Sequence, residues 1–166
     1  SSSSAASDVY KRQRLAGELA SQYQDTYIQT HVAENTDEVK WVKELFPDSR
    51  SYLDVYEKRG LMRKRALYAH CIWLDDNDRA RMAATGSVAT VCPTSNLFLG
   101  SGLFDFINAD KLRMPVSLAT DVGGGTSFSM LQTMNELYKV GRMSGVHLAA
   151  QRMFYMATLG LSLIHI

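Results

Sequence analysis

Neither sign of charge is in excess in this 166-residue chain: 18 Lys and Arg stand against 17 Asp and Glu, a net charge of +1. Such a balance gives no electrostatic footing for nucleic acid or an anionic membrane surface. Long apolar runs are missing as well, and none approaches the ~18 residues of a membrane span. Cysteine is scarce. Only Cys71 and Cys92 occur, so no disulfide framework is legible and a reducing, cytoplasmic setting is expected. The chain has no initiator methionine, and its serine-rich start lacks the apolar core of a secretory signal. Residues 1–13 and 162–166, His165 included, resemble translated adapter sequence. Both are expected to be foreign, and 1–13 disordered, which leaves 14–161 as one domain. The length and the ordinary composition, 46% hydrophobic and 21% charged, suit a globular domain with a real core.

What is present is an alternation of strand-like and helix-like segments. Leu15, Leu19 and Tyr23 recur every four residues, as on a short helix. An apolar, β-prone run over 26–31 ends in His31. Asn35 or Thr36 caps the next helix, with Glu38 placed for a capping box if Asn35 is the cap. Val39, Val42, Leu45 and Phe46 form its inner stripe. A helical piece over 52–59 stops at Gly60, and a strand over 66–69 delivers His70. The helix over 75–85 is acidic at its start and closed by Gly86. A strand over 87–92 empties into a loop over 93–102, followed by a helix over 104–112. A fourth strand, 115–120, ends at Asp121. Gly123 to Gly125 then turn the chain into a helix over 127–143, and a last helix over 147–159 ends at Gly160.

Strand and helix alternating four times implies an α/β fold with a parallel sheet and right-handed crossovers. Two architectures fit, an open doubly wound sheet and part of a (β/α)8 barrel. A whole barrel needs eight strands and ~250 residues, so this chain supplies about four β/α units. Polar residues at successive strand ends favour the barrel, where chemistry sits at the C-terminal face.

Taken singly, the candidate residues are weak signals. A histidine at a strand end, such as His31 or His70, is most simply a hydrogen-bonded structural residue. Glu34 alone is a solvated carboxylate near a helix start. Asp121 is sharper, because a carboxylate directly after an apolar strand needs a metal or an arginine to neutralise it. An inverted zinc-protease helix would need His at position 35, which is Asn. A zinc deaminase with two cysteine ligands would need Pro-Cys-x-x-Cys, and here the order is Cys92-Pro93 with no second cysteine after it. The glycine triplet lacks the Gly-Lys-Ser/Thr ending of a phosphate loop and is read as a flexible turn. Met130, Met134, Tyr138, Met153, Phe154 and Met156 lie at helical spacing and read as core. Lys58, Arg59, Arg63, Lys64 and Arg65 read as a solvated basic loop.

Four motifs in order, His31-x-x-Glu34, Ala69-His70-Cys71, Cys92-Pro93-Thr94-Ser95-Asn96 and Thr120-Asp121-Val122-Gly123, together resemble the amidohydrolase superfamily. The longer runs over 93–104 and 120–132 are similar to its guanine deaminase family, and the likeness extends from about Leu15 to Gly160. That resemblance implies strands five to eight of a TIM-like (β/α)8 barrel. It also implies a cytoplasmic, homodimeric enzyme that uses Zn2+ to hydrolyse guanine to xanthine and ammonia, with no nucleic-acid or membrane partner. By the same resemblance His31 and Asp121 are metal ligands and His70 lies beside the metal-bound water. Glu34, His70 and Asp121 are catalytic, and His31, Glu34 and Asp121 border the substrate. The chemistry is coherent: zinc brings the pKa of a bound water to about 7, and a nearby carboxylate can carry its proton to the ring and to the leaving amine. The family's His-x-His pair and an Arg-Phe pair have no match here. The isolated chain is therefore expected to be an inactive, poorly folded fragment with an open sheet edge. The alternatives are another deaminase or a chlorohydrolase of the same superfamily, or a non-catalytic α/β binding module whose His31 and Asp121 lie more than ~10 Å apart, too far to share a zinc.

Overall fold

A computed structural model describes residues 2–162, with side chains from residue 11 onward. Thirteen elements follow in order: α1 (Ser2–Gln22), β1 (Ile28–Val32), α2 (Thr36–Leu45), α3 (Tyr52–Glu57), β2 (Ala66–His70), α4 (Asp76–Thr85), β3 (Val88–Val91), α5 (Pro93–Phe98), α6 (Phe106–Lys111), β4 (Val116–Leu118), α7 (Met130–Met143), α8 (Ala150–Ala157) and α9 (Leu159–Ser162). The strands form one parallel sheet in the order β1-β2-β3-β4. A doubly wound sheet reverses its strand order at a switch point. Strictly sequential neighbours are the arrangement of consecutive barrel strands, so the barrel reading holds and the open alternative fails.

The sheet is covered on one face. Val32, Ala66, Tyr68, Ala89, Val91 and Leu118 belong to a continuous buried core with Leu53, Phe104, Leu137 and Leu148. The register aligns His31, Ala69, Thr90 and Ser117 across the other face. There Gln29 and His31 are exposed, and Leu67 and Ala69 are half-buried. Parallel sheets ordinarily bury both faces; the alternation in β1 and β2 marks the inner face as the open one. Thr90 and Ser117 satisfy each other there, Oγ to Oγ at 2.9 Å.

Helix ends follow local chemistry. Asn35 accepts the Glu38 amide at 2.8 Å, and Glu38 Oε2 returns a bond to the amide of Glu34. This is a capping box displaced by one residue, and it staples the turn after β1. Val42 and Phe46 pack with Val55, as the apolar stripe requires. Asp75 caps α4 through the Asp78 amide, and Gly86 closes it at φ 72°.

Several expectations are corrected. The helix expected to start at Leu15 is α1, which begins at Ser2; no proline or glycine interrupts its first four turns. The stripe Leu15, Leu19 and Tyr23 faces solvent. Gly17 turns inward instead, where a Cβ would strike the Arg59 carbonyl. The loop over 93–102 contains α5, with Pro93 at its first turn, where no amide donor is needed. Gly160 lies inside α9 and is buried; its missing Cβ allows close approach to the Tyr155 carbonyl. Tyr138 and Phe154 are exposed rather than core. The basic cluster is partly structural, since Arg63 and Arg65 donate to the carbonyls of Thr26 and Asp25 beside β1. Residues 163–166 of the C-terminal segment expected to be foreign, His165 among them, lie outside the described residues. No helix among the described residues is long and apolar enough to cross a membrane.

Candidate functional site

Three strand ends meet. His31 sits next to last in β1 and His70 ends β2. Asp121 lies three residues beyond β4. One donor atom from each of the three falls within 4.8 Å of the others. The His31 and His70 rings stack, with centroids 5.2 Å apart. The binding-module alternative, which needs these residues more than ~10 Å apart, is thereby overturned.

Backbone strain aims the side chains. By strand alternation His70 would follow Tyr68 onto the covered face, but at φ 69° its backbone is left-handed and turns the ring toward the sheet's C-terminal edge. Cys71, Ala33 and Asp121 also have positive φ, at 52°, 48° and 48°. Each such residue costs on the order of 1–3 kcal/mol and persists only where its surroundings fix it. At Asp121 the fixing is visible: the Gly125 amide donates back to the Asp121 carbonyl at 2.5 Å. A Cβ on Gly125 would overlap the Thr120 carbonyl, and one on Gly124 would come within 3.3 Å of Asp121 Oδ2. The glycine triplet is a turn required by close approach.

The carboxylates face His70. Its Nε2 lies 3.6 Å from Glu34 Oε2 and 3.8 Å from Asp121 Oδ2. The ring itself is 1% exposed, Glu34 19% and Asp121 27%. Ser101 donates its hydroxyl to Glu34 Oε1 at 3.1 Å, and the Trp73 indole donates to the Ser101 carbonyl at 3.0 Å. Asn96 Oδ1 bonds His70 Nδ1 at 2.8 Å, both side chains buried. Below the cluster a cavity of about 340 Å³ runs along the inner face between His31, Ala69, Cys92 and Asp121. Burial first, then the charges of Asp121 and Glu34, push the Cys92 thiol up to about 12. Burial raises Cys71 too. Neither is a thiolate ligand or nucleophile at neutral pH.

The donor set fits a divalent metal. Two imidazoles and a carboxylate are zinc's ordinary oxygen and nitrogen ligands, and donors at ~2.0–2.2 Å from one ion lie at most about 4.4 Å apart. The three donors, within 4.8 Å of one another, lie close to that range.

Residues 12–161 match the Amidohydrolase family. The chain belongs to the amidohydrolase family. A guanine deaminase of Escherichia coli (strain K12) is 48% identical over 146 residues, covering 88% of this chain and 33% of its own length. A solved E. coli guanine deaminase superposes with a TM-score of 0.88 at 47% identity, over 90% of this chain and 35% of the other. The guanine deaminase of C. acetobutylicum, solved with guanine in its active site, gives 0.87 at 30% identity, over 93% and 39%. An adenosine deaminase from Xanthomonas campestris with bound zinc shares the fold at 0.84 and 20% identity, over 93% and 36%. This amidohydrolase chain thus spans about a third of the length of the curated relatives it matches.

Three contributors to the amidohydrolase cluster escape a reading of strand ends. Asn96, Ser101 and Trp73 touch it through hydrogen bonds that only the fold creates. The sequence signal for the first two was their place in the run over 93–104, which gave neither of them a role.

Proposed function

We propose that this chain supplies the C-terminal half of the active site of a zinc-dependent guanine deaminase, which hydrolyses guanine to xanthine and ammonia. The observation that carries the reading is the convergence of His31, His70 and Asp121 at one sheet edge with Glu34 beside them. Similarity to guanine deaminases at 48% and 30% identity, one with guanine bound, supports the substrate.

His31 and Asp121 would hold the metal, together with donors this chain does not contain; its four histidines include no His-x-His pair. Zinc there supplies Lewis acidity and makes water a nucleophile at neutral pH. Asp121 and His70 orient the attacking water from the sheet edge. Glu34 takes its proton and passes it to the purine ring, which makes the attacked carbon more electrophilic. The C–O bond forms at that carbon, Glu34 takes the remaining proton from the new hydroxyl, and it delivers that proton to the exocyclic amine as the C–N bond breaks and ammonia leaves. The clamp from Ser101 and the capped turn below hold Glu34 at this task without costly reorganisation.

The test is a chimera in which residues 12–161 replace the matching segment of the E. coli guanine deaminase. Guanine, an adenosine derivative and a triazine are assayed side by side. Zinc-dependent guanine turnover abolished by H31A or D121A is expected. Turnover of the adenosine derivative or the triazine without guanine would move the chain to another substrate in the same family.

A further inference from the structure

We propose that Asn96 is a positioning residue that fixes the tautomer of His70. This rests on the metal-site reading above and assigns a role to a residue outside the expected ligand and proton-carrier set. Asn96 is 3% exposed, and its Oδ1 lies 2.8 Å from His70 Nδ1. A carbonyl oxygen only accepts, so Nδ1 carries the hydrogen and Nε2 keeps its lone pair. That lone pair faces Glu34 Oε2 and Asp121 Oδ2 at 3.6 and 3.8 Å. A lone pair opposed to two carboxylates is repulsive unless a cation or a second proton lies between them. The Asn96 bond thereby leaves the site-facing nitrogen open to a metal or to the water beside it. Neutral imidazole otherwise distributes its proton between both nitrogens, and which one keeps it follows from the bond the other makes.

Asn96 is itself held. Its backbone amide donates to the Cys92 carbonyl and its backbone carbonyl accepts from the Ser101 amide, each at 2.9 Å. Ser101 is the residue that grips Glu34. One asparagine therefore ties the orientation of His70 to that of the carboxylate opposite it. Pro93 and the short helix α5 place Asn96 there, which gives the segment after β3 a role beyond connection.

Histidine-selective 15N NMR on the 166-residue chain titrated with Zn2+ tests this. The expected spectrum shows His70 with a protonated Nδ1 and an unprotonated Nε2. N96D, which keeps an acceptor, retains that pattern. N96L, which has none, loses it and weakens zinc binding by about 10- to 100-fold. A wild-type His70 protonated at Nε2, averaged shifts in the wild type, or an unchanged tautomer in N96L overturns the assignment. Should N96L fail to fold, the wild-type and N96D spectra decide. Absence of zinc binding in a wild-type chain with the expected tautomer would count against the metal reading and leave Asn96's role standing.

Discussion

Glu34 is fastened at both ends. Its amide donates to Glu38 Oε2 at 2.8 Å and its Oε1 accepts from Ser101 at 3.1 Å, so both its backbone and its carboxylate are already held in place. If it carries the proton, E34Q in the chimera lowers kcat by about 10²- to 10⁴-fold, with KM for guanine changed only a few-fold. Steady-state guanine hydrolysis measures both, and a kcat within a factor of three of the parent would remove Glu34 from the mechanism. Ser101→Ala should act through Glu34 and more mildly. Losing one bond to a charged group is worth ~1.5 kcal/mol, about tenfold in kcat, again without a matching rise in KM. A rise in KM alone would make Ser101 a substrate contact instead of a support.

Between elements, the strongest polar join is the one linking α3 to α4. Asp78, 3% exposed at its side chain, takes bonds from Arg50, Arg81 and Ser51, while Arg81 also reaches Asp54 at 2.8 Å and Glu57. Arg81→Met takes away one of two guanidinium partners of a buried carboxylate. Complete loss of partners costs ~3–5 kcal/mol; with Arg50 still present, about 2 kcal/mol is expected, read from chemical denaturation. The pH dependence has a defined sign. Burial works to raise Asp54, but the Arg50 amide and Arg81 more than offset it and leave it below the ordinary carboxylate range. Asp75 is lowered likewise by Arg50 and the Asp78 amide against the effect of burial. Stability from a depressed carboxyl is present above the unfolded value near ~3.9 and is lost as pH falls through the lower folded value. The gap between parent and R81M should therefore be widest near neutrality and shrink in acid below that range. A gap that widens in acid would contradict the assignment. At this scale the strand ends were legible in the sequence, because an apolar run stopping at His31, His70 or Asp121 is a local pattern. Helix α5 was not, because Ser and Asn favour turns as readily as helix starts and only packing against α7 decides between them. Nor was the inward face of α1, since Gly17 contacts the Arg59 carbonyl through a missing side chain, and absence leaves no periodicity to read.

For the whole molecule, the decisive feature is that one sheet face carries a continuous core and the other does not. A hollow of about 550 Å³ also lies between α1 and β1, beside the edge strand whose inner-face residues Gln29 and His31 are exposed. Such a face binds a hydrophobic dye, and the isolated chain should do so more strongly than the chimera. Leu67 separates the barrel reading from an open-sheet one. It is half-buried on the inner face, opposite Val88 in the register. In the isolated chain, Leu67→Glu points a charge at the open face and should change the free energy of unfolding by no more than ~0.5 kcal/mol. It should also reduce dye binding. In the chimera the same side chain would lie in the closed interior of a barrel, where an unpaired carboxylate is costly to bury, and both guanine turnover and cooperative unfolding should be lost. Opposite outcomes for one substitution in two contexts are what four strands of an eight-stranded barrel require. Equal tolerance in both would mean that this face stays open even beside the rest of the enzyme, and that the site at its edge is built without a closed barrel beneath it.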